Sequence, residues 1–201
     1  MSARRSLLAT AVATALMSLS PMLHAATPAA AAPATAPQAL VPAQSEVTFV
    51  ARQTGVDMPG RFRTFSAQAS FNPKALATSQ IAFTVDTGSV ALNPEANVEL
   101  VKPEWFNVGK FPKATFQSTA IKALGGNKFE VAGKLTIKGV ARDLVLPVQL
   151  TQASNLTTAT GGFVLKRNDF KVGEGDWSDT SMVANEVQVK FKLVLQGVPA
   201  L

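Results

Sequence analysis

Apolar and polar residues alternate with a period of two along most of the chain. Val47 and Phe49 flank Thr48, and Phe83 and Val85 alternate with Thr84 and Asp86. Phe129, Val131, Leu135 and Ile137 share one parity, with Glu130, Lys134, Thr136 and Lys138 on the other. Leu144, Leu146, Val148 and Leu150 repeat the pattern, and Phe163 and Leu165 do so weakly. The last run is the clearest: Val187, Val189, Phe191, Leu193 and Leu195 against Glu186, Gln188, Lys190, Lys192 and Gln196. A strand points successive side chains to opposite faces, so each run sets one face on an apolar interior and the other in water. The short spacing of the runs, with glycine-rich turns expected at LGGNK (124–128) and TATGG (158–162), predicts an antiparallel all-β sandwich or barrel.

One segment departs from this period. NPEANVELVK (93–102) opens with an N-cap asparagine, a proline at the first helical position and a first-turn glutamate, and Pro103 ends it. Those signals predict about two turns of helix, with Val98 and Val101 sharing a side. PEWFNVGKFPKATF follows, with Trp105, Phe106, Phe111 and Phe116 drawn from only 14 aromatic residues (12 Phe, 2 Trp). Pro103 and Pro112 interrupt regular pairing, so the first three rings fall on a connection and Phe116 on the strand after it. Rings on a connection need an apolar surface to cover, and the open end of a barrel or sandwich supplies one. The plainer reading makes them a plug for the core; the sharper one makes them the mouth of a ligand cavity.

The ends of the chain and its composition narrow the chemistry. Arg4 and Arg5, an apolar run of about ten residues and SPMLHA have the three parts of a secretory signal peptide cleaved near Ala25, too short for the ~20 residues of a membrane span. Residues 26–44, ATPAAAAPATAPQALVPAQ, read as an Ala/Pro-rich linker, and 45–201 as the folded domain. Removing the leader takes two of 19 basic residues and leaves 17 against 13 acids, a net charge of +4. The basic residues are scattered, so no nucleic-acid partner is expected. The lone histidine, His24, lies in the leader, and there is no cysteine or tyrosine. A folded domain without these residues has no His- or Cys-based catalytic triad and no His- or Cys-ligated metal or haem site. Catalytic residues and metal ligands are therefore expected to be none.

In their order and spacing, EVTFVARQTGVDMPGRFRTFSAQASFNP, PEWFNVGKFPKATFQSTAI, KFEVAGKLTIKGVARDLVLPV and LKRNDF resemble the YceI-like family of bacterial proteins, from about Ser45 to Gly197. The resemblance implies an antiparallel eight-stranded lipocalin-like barrel with one or two short helices. It also implies a periplasmic or secreted location and no enzymatic cofactor. The implied guest is a long apolar molecule such as a polyisoprenoid, an isoprenoid quinone or a fatty-acid derivative. A transient membrane-surface contact and a homodimer are compatible with that role. Many members have a histidine in the first strand where this chain reads ARQTG, with Gln53 near that place. The tail VGEGDWSDTSMVANEV also looks like one branch of the family, so head-group preference stays open.

Candidate ligand contacts are Phe49, Phe62, Phe83, Trp105, Phe106, Phe111, Phe116 and Phe191. Arg61 and Arg63, on the strand face opposite Phe62, are the candidate head-group clamp. Arg142 and Asp143 are expected in a solvated turn, and Arg167 and Asp169 as a structural pair near a strand end. GEGDWSD lacks the spacing of a calcium loop and reads as an exposed loop, with Trp177 free to pack back or cover the opening. Since no Asp or Glu has inward parity, a carboxylate-based hydrolase or isomerase is disfavoured. The alternative to a lipid carrier is a structural or interaction module of the envelope.

Overall fold

The computed structural model describes residues 38–201. In chain order the strands are β1 Ala39–Leu40, β2 Glu46–Gln53, β3 Val56–Phe62, β4 Phe65–Ser70, β5 Gln80–Asp86 and β6 Val90–Ala91. Helix α1, Pro94–Leu100, comes next, then β7 Lys113–Gly125, β8 Lys128–Ile137, β9 Val140–Ala153, β10 Leu156–Lys166 and β11 Glu186–Gln196. The protein is all-β and antiparallel, with one short α-helix. Asn93 caps that helix by accepting from Ala96 N at 2.8 Å. Among the described residues no helix is long and apolar enough to cross a membrane.

The strands form one sheet in the order β4-β5-β7-β8-β9-β10-β11-β2-β3-β6, with β1 added alongside β11. The long strands at its two ends, β3 and β4, are consecutive in the chain and separated only by Arg63 and Thr64. Covalent continuity therefore brings one end of the curved sheet round to the other. The expected count of eight becomes eleven among the described residues. Two of the additional strands, β1 and β6, are two-residue pairings. Another arises where the chain bends at Arg63–Thr64 and splits one apolar run into β3 and β4. The 87–89 turn fills that bend: Ser89 O accepts from Arg63 N at 3.1 Å and Ser89 Oγ accepts from Thr64 N at 3.0 Å.

The leader expected at 1–25 and the tract up to residue 37 lie outside the described residues. The last part of the supposed linker is built into the wall. Gln38 is buried, and its side-chain amide both donates to Phe71 O and accepts from Phe71 N, each at 2.9 Å. Ala39 and Leu40 pair with Gln196 and Leu195. The ordered wall thus begins at least seven residues before Ser45, where the alternation starts.

Two further expectations change. Thr158–Gly162 is no turn but the middle of β10, paired with β11 on one side and β9 on the other. Arg142 and Asp143 stand inside β9, where Asp143 accepts from Lys134 across the ladder at 2.8 Å in an exposed pair. The β8–β9 turn is Lys138–Gly139, both with positive φ (50° and 76°), a tight hairpin for which glycine is suited. LGGNK does turn, between β7 and β8.

The inner face of the sheet carries the core in three groups along the axis. Strand β8 crosses them all, with Phe129 at one end, Val131 in the middle and Ile137 at the other. At the first end Phe71 and Phe129 meet edge to face, with ring centroids 5.3 Å apart, and Val198 and Leu201 close over them. Gln152 holds this tail by donating to Val198 O at 3.1 Å and accepting from Leu201 N at 3.2 Å. A bulge at Thr119 resets the parity of β7, so Ala114 and Phe116 face in and then Ile121 does.

Candidate ligand cavity

Several side chains that point into the sheet are not fully buried. Phe83, Leu135, Phe163 and Phe191 are inward on their strands yet only half-buried, because the middle of the molecule is hollow. A cavity of about 260 Å³ runs through it, close to the lower end of small-molecule sites at roughly 300 Å³. Val47, Phe116, Val131, Leu146, Phe163 and Val189 are among the residues of its wall, contributed by the long strands around the barrel. Only Thr87, Thr157 and Arg167 in the lining are polar residues by type. No carboxylate lines it.

Glycines on the inner face keep this space open. At Gly60, Gly133 and Gly161 a Cβ would stand 2.3, 2.5 and 2.4 Å from the Phe49, Phe116 and Phe191 ring tips respectively. Each ring lies over a neighbouring strand's glycine, flat against the wall, instead of projecting across the hollow. Phe191 is directly opposite Gly161 in the β10–β11 ladder, and Phe49 opposite Gly60 in the β2–β3 ladder. A small barrel can be filled by its own side chains or hold a guest. The Phe–Gly pairing leaves the centre of this one unfilled by its own side chains.

The other end of the hollow is stopped by two segments. One is α1 with its following turn, which supplies Leu100, Trp105 and Phe106 to the lining; Val98 and Val101, expected to share one side of the helix, are exposed at 62% and 38%. The second is the 167–185 connection, whose Phe170, Val172 and Val183 pack with Trp105 and Ile137. Trp177 in that connection meets Trp105 with centroids 5.3 Å apart, so it packs back onto the plug.

Two cations tie this plug together. Arg167 is 2% exposed. Its Nε donates to Ala184 O at 3.1 Å, one terminal nitrogen to Val172 O and Gly173 O at 3.0 and 3.1 Å, and the other to Val183 O at 2.7 Å. Burial pulls its pKa down from the ordinary arginine value. The expected pairing with Asp169 is replaced by these backbone carbonyls, because the side chain turns inward and Asp169 stays exposed. Lys138 Nζ, also buried, donates to Lys171 O at 2.8 Å, Glu104 O at 3.3 Å and Glu174 Oε2 at 2.6 Å. The hydrogen bond from Lys138 holds the Glu174 carboxyl below the usual carboxylate range.

Of the eight aromatic candidates, Phe49, Phe62, Phe83, Trp105, Phe106, Phe116 and Phe191 line the cavity. Phe49, Phe62 and Phe106 form a continuous row from wall to plug, with centroid separations of 5.5 and 5.9 Å. Phe111 is not in the lining; its ring lies against Gly139 and covers the β8–β9 turn, where a Cβ would come within 2.8 Å. Arg61 and Arg63 are exposed and do not border the cavity: Arg61 takes the outer side of β3 because Phe62 takes the inner, and Arg63 stands at the bend. Among the described residues no group of three His, Cys, Asp or Glu side chains is placed to hold a metal ion. Sequence reasoning missed the anchoring roles of Arg167 and Lys138. The available signal was position alone: Lys138 stands in the β8–β9 turn and Arg167 directly follows β10.

The comparisons with known proteins agree with this architecture. A family model described as YceI-like domain matches residues 39–195. A UPF0312 protein of Vibrio parahaemolyticus is 32% identical over 115 residues, which is 56% of this chain and 61% of that protein's own length. Among solved structures, Burkholderia cenocepacia BcnA superposes with a TM-score of 0.74 at 42% identity, covering 77% of this chain and 98% of that one. A polyisoprenoid binding domain from Saccharophagus degradans, implicated in plant cell wall breakdown, gives a TM-score of 0.64 over 80% of this chain and 98% of its own. At 18% identity that likeness concerns the fold alone.

Proposed function

The chain belongs to the YceI-like family, and from that premise we propose that it is a non-enzymatic binding protein for a long-chain amphiphilic lipid. The guest lies in the barrel, as a polyisoprenoid, an isoprenoid quinone or a fatty-acid derivative. The observation that carries this reading is the hollow of about 260 Å³, walled by aliphatic and aromatic side chains from the long strands. Burial of hydrocarbon contributes about 0.8 kcal/mol per methylene. A dozen carbons therefore supply roughly 10 kcal/mol before the cost of ordering the guest and the plug. No specific polar contact is needed for useful affinity.

The named function of the Saccharophagus relative is consistent with an isoprenoid guest. The leader pattern at 1–25 supports a periplasmic or secreted location, where the protein carries, stores or shields such a molecule. The wall has no carboxylate, and the folded domain no histidine or cysteine, which argues against chemistry on the guest.

Native mass spectrometry on protein purified from the organism that makes it, without detergent, tests the reading. A mass above that of the polypeptide is expected, with one long-chain amphiphile released by solvent extraction. A bare polypeptide, with an extract no different from that of a control protein, would contradict it.

A further inference from the structure

Strands β9 and β10 pair over only part of their length. The ladder runs from Leu156 with Ala153 to Gly161 with Val148, six residue pairs, against ten between β8 and β9 and eleven between β10 and β11. It stops where the register would next set Pro147 opposite Gly162. Proline has no N–H to donate to a ladder, and glycine has no side chain to pack across one. From there towards the plug, 142–147 of β9 and 162–166 of β10 run on as two unpaired lips. At about 3.3 Å per residue, the lip of β10 makes a slot roughly 16 Å long.

Apolar side chains, not ladder pairs, close this slot. Leu144 and Leu146 on one lip and Phe163 and Leu165 on the other line the hollow. Val145 and Val164, on the outer side of the lips, are 55% and 54% exposed. Arg142 reaches solvent here from an inward position. It stands opposite Leu135 in the β8–β9 ladder, and residues directly opposite project to the same face. Leu135 lines the hollow, yet Arg142 is exposed and not part of the lining. Its β8 side is paired throughout, so the unpaired β10 side leaves its side chain a way out.

The two ends of the hollow are held more firmly. Freeing the plug breaks the bonds of Arg167 to backbone carbonyls and those of Lys138 to Glu104, Lys171 and Glu174. Hydrogen bonds from charged donors are the strong ones. Freeing the tail parts Gln152 from Val198 and Leu201. Spreading the slot breaks no ladder pair, and an alkyl chain replaces the apolar neighbours that its lips lose. Resting on the reading of the hollow as a lipid site, we infer that the guest enters and leaves sideways. Its chain passes between Leu144 and Phe163 while the plug and the tail stay shut.

The chain has no cysteine, so an introduced pair is unique. In lipid-stripped Val145→Cys/Val164→Cys protein, a short bis-methanethiosulfonate ties the lips together and dithiothreitol releases them. Val164→Cys/Gln188→Cys places the same bridge across the intact β10–β11 ladder as a control. Stopped flow follows cis-parinaric acid, a fatty acid that fluoresces in apolar surroundings. Bridging the slot should slow its association and release about tenfold, reversibly, as closing a gate does. The control bridge should alter neither rate. Leu144→Ala should speed both, and that variant decides should the first pair not bridge. Equal rates with the slot bridged and free, or unaltered rates in Leu144→Ala where no bridge forms, would overturn the inference and leave the lipid reading standing. If cis-parinaric acid does not enter the unbridged protein, the lipid reading fails and this inference with it.

Discussion

Phe49, Phe116 and Phe191 belong to the inner face by parity, yet each ring lies along the wall over a glycine. At Gly60 the three atoms nearest an added Cβ all belong to side chains, Phe49 Cζ at 2.3 Å, Phe49 Cε2 at 2.7 Å and Leu92 Cδ1 at 2.9 Å. Gly60→Ala therefore has one easy way to relax: Phe49 swings into the hollow. The expected cost is about 1–3 kcal/mol of stability, read from the urea midpoint, as for other overpacked cores. Affinity for long-chain probes should fall more than affinity for short ones, because the displaced ring shortens the cavity. Gly161→Ala should cost more stability, since its Cβ would also meet Pro147 O at 2.4 Å, a backbone atom. Unchanged chain-length preference in a folded Gly60→Ala protein would show that Phe49 does not bound the guest. This pairing also explains the misplaced turn at 158–162. In a sequence, two adjacent glycines signal a reversal; here Gly161 makes room for a ring in the middle of a strand.

At the scale of elements, the 167–185 connection acts as a stopper pinned by Arg167 and by the Lys138–Glu174 pair. Glu174 is half-exposed, so its pair is a modest contributor to overall stability. Its direction with pH is nevertheless defined. The hydrogen bond from Lys138 lowers the carboxyl pKa in the folded state. A carboxylate lowered on folding contributes stability that is fully present above its ordinary pKa of about 4.3 and lost as pH falls through the depressed value. The plug should therefore loosen in acid, below the normal carboxylate range. The contact between Trp105 and Trp177 provides the readout, as a change in tryptophan fluorescence before global unfolding. Glu174→Gln should flatten that acid dependence; an unchanged transition would place the titrating group elsewhere. The strands of this stopper's scaffold were legible from their period, and α1 from its cap and proline. The anchors were not, because they are long-range: Arg167 reaches carbonyls up to 17 residues away, and Lys138 reaches Glu174 across 36.

For the whole molecule, alternation is enough to call for an all-β antiparallel wall, since each run needs a common interior for its apolar face. It does not count the strands. The bend at Arg63–Thr64 and the short β1 and β6 depend on hydrogen bonds between distant segments, such as Gln38 to Phe71, which no local pattern carries. The aromatic lining was largely readable for the same reason as the wall. Phe111 was the exception, because a ring on a connection has no parity to assign it a side.

The central claim is that the guest's chain lies inside this wall. Isotope-filtered NOE spectroscopy on the protein bound to a sixteen-carbon acyl probe tests it most directly. NOEs from the chain methylenes to the methyl groups of Val131 and Leu146, which are 4% and 9% exposed, are the expected result. NOEs confined to the surface valines Val56, Val98, Val145 and Val164, each more than half exposed, would contradict it.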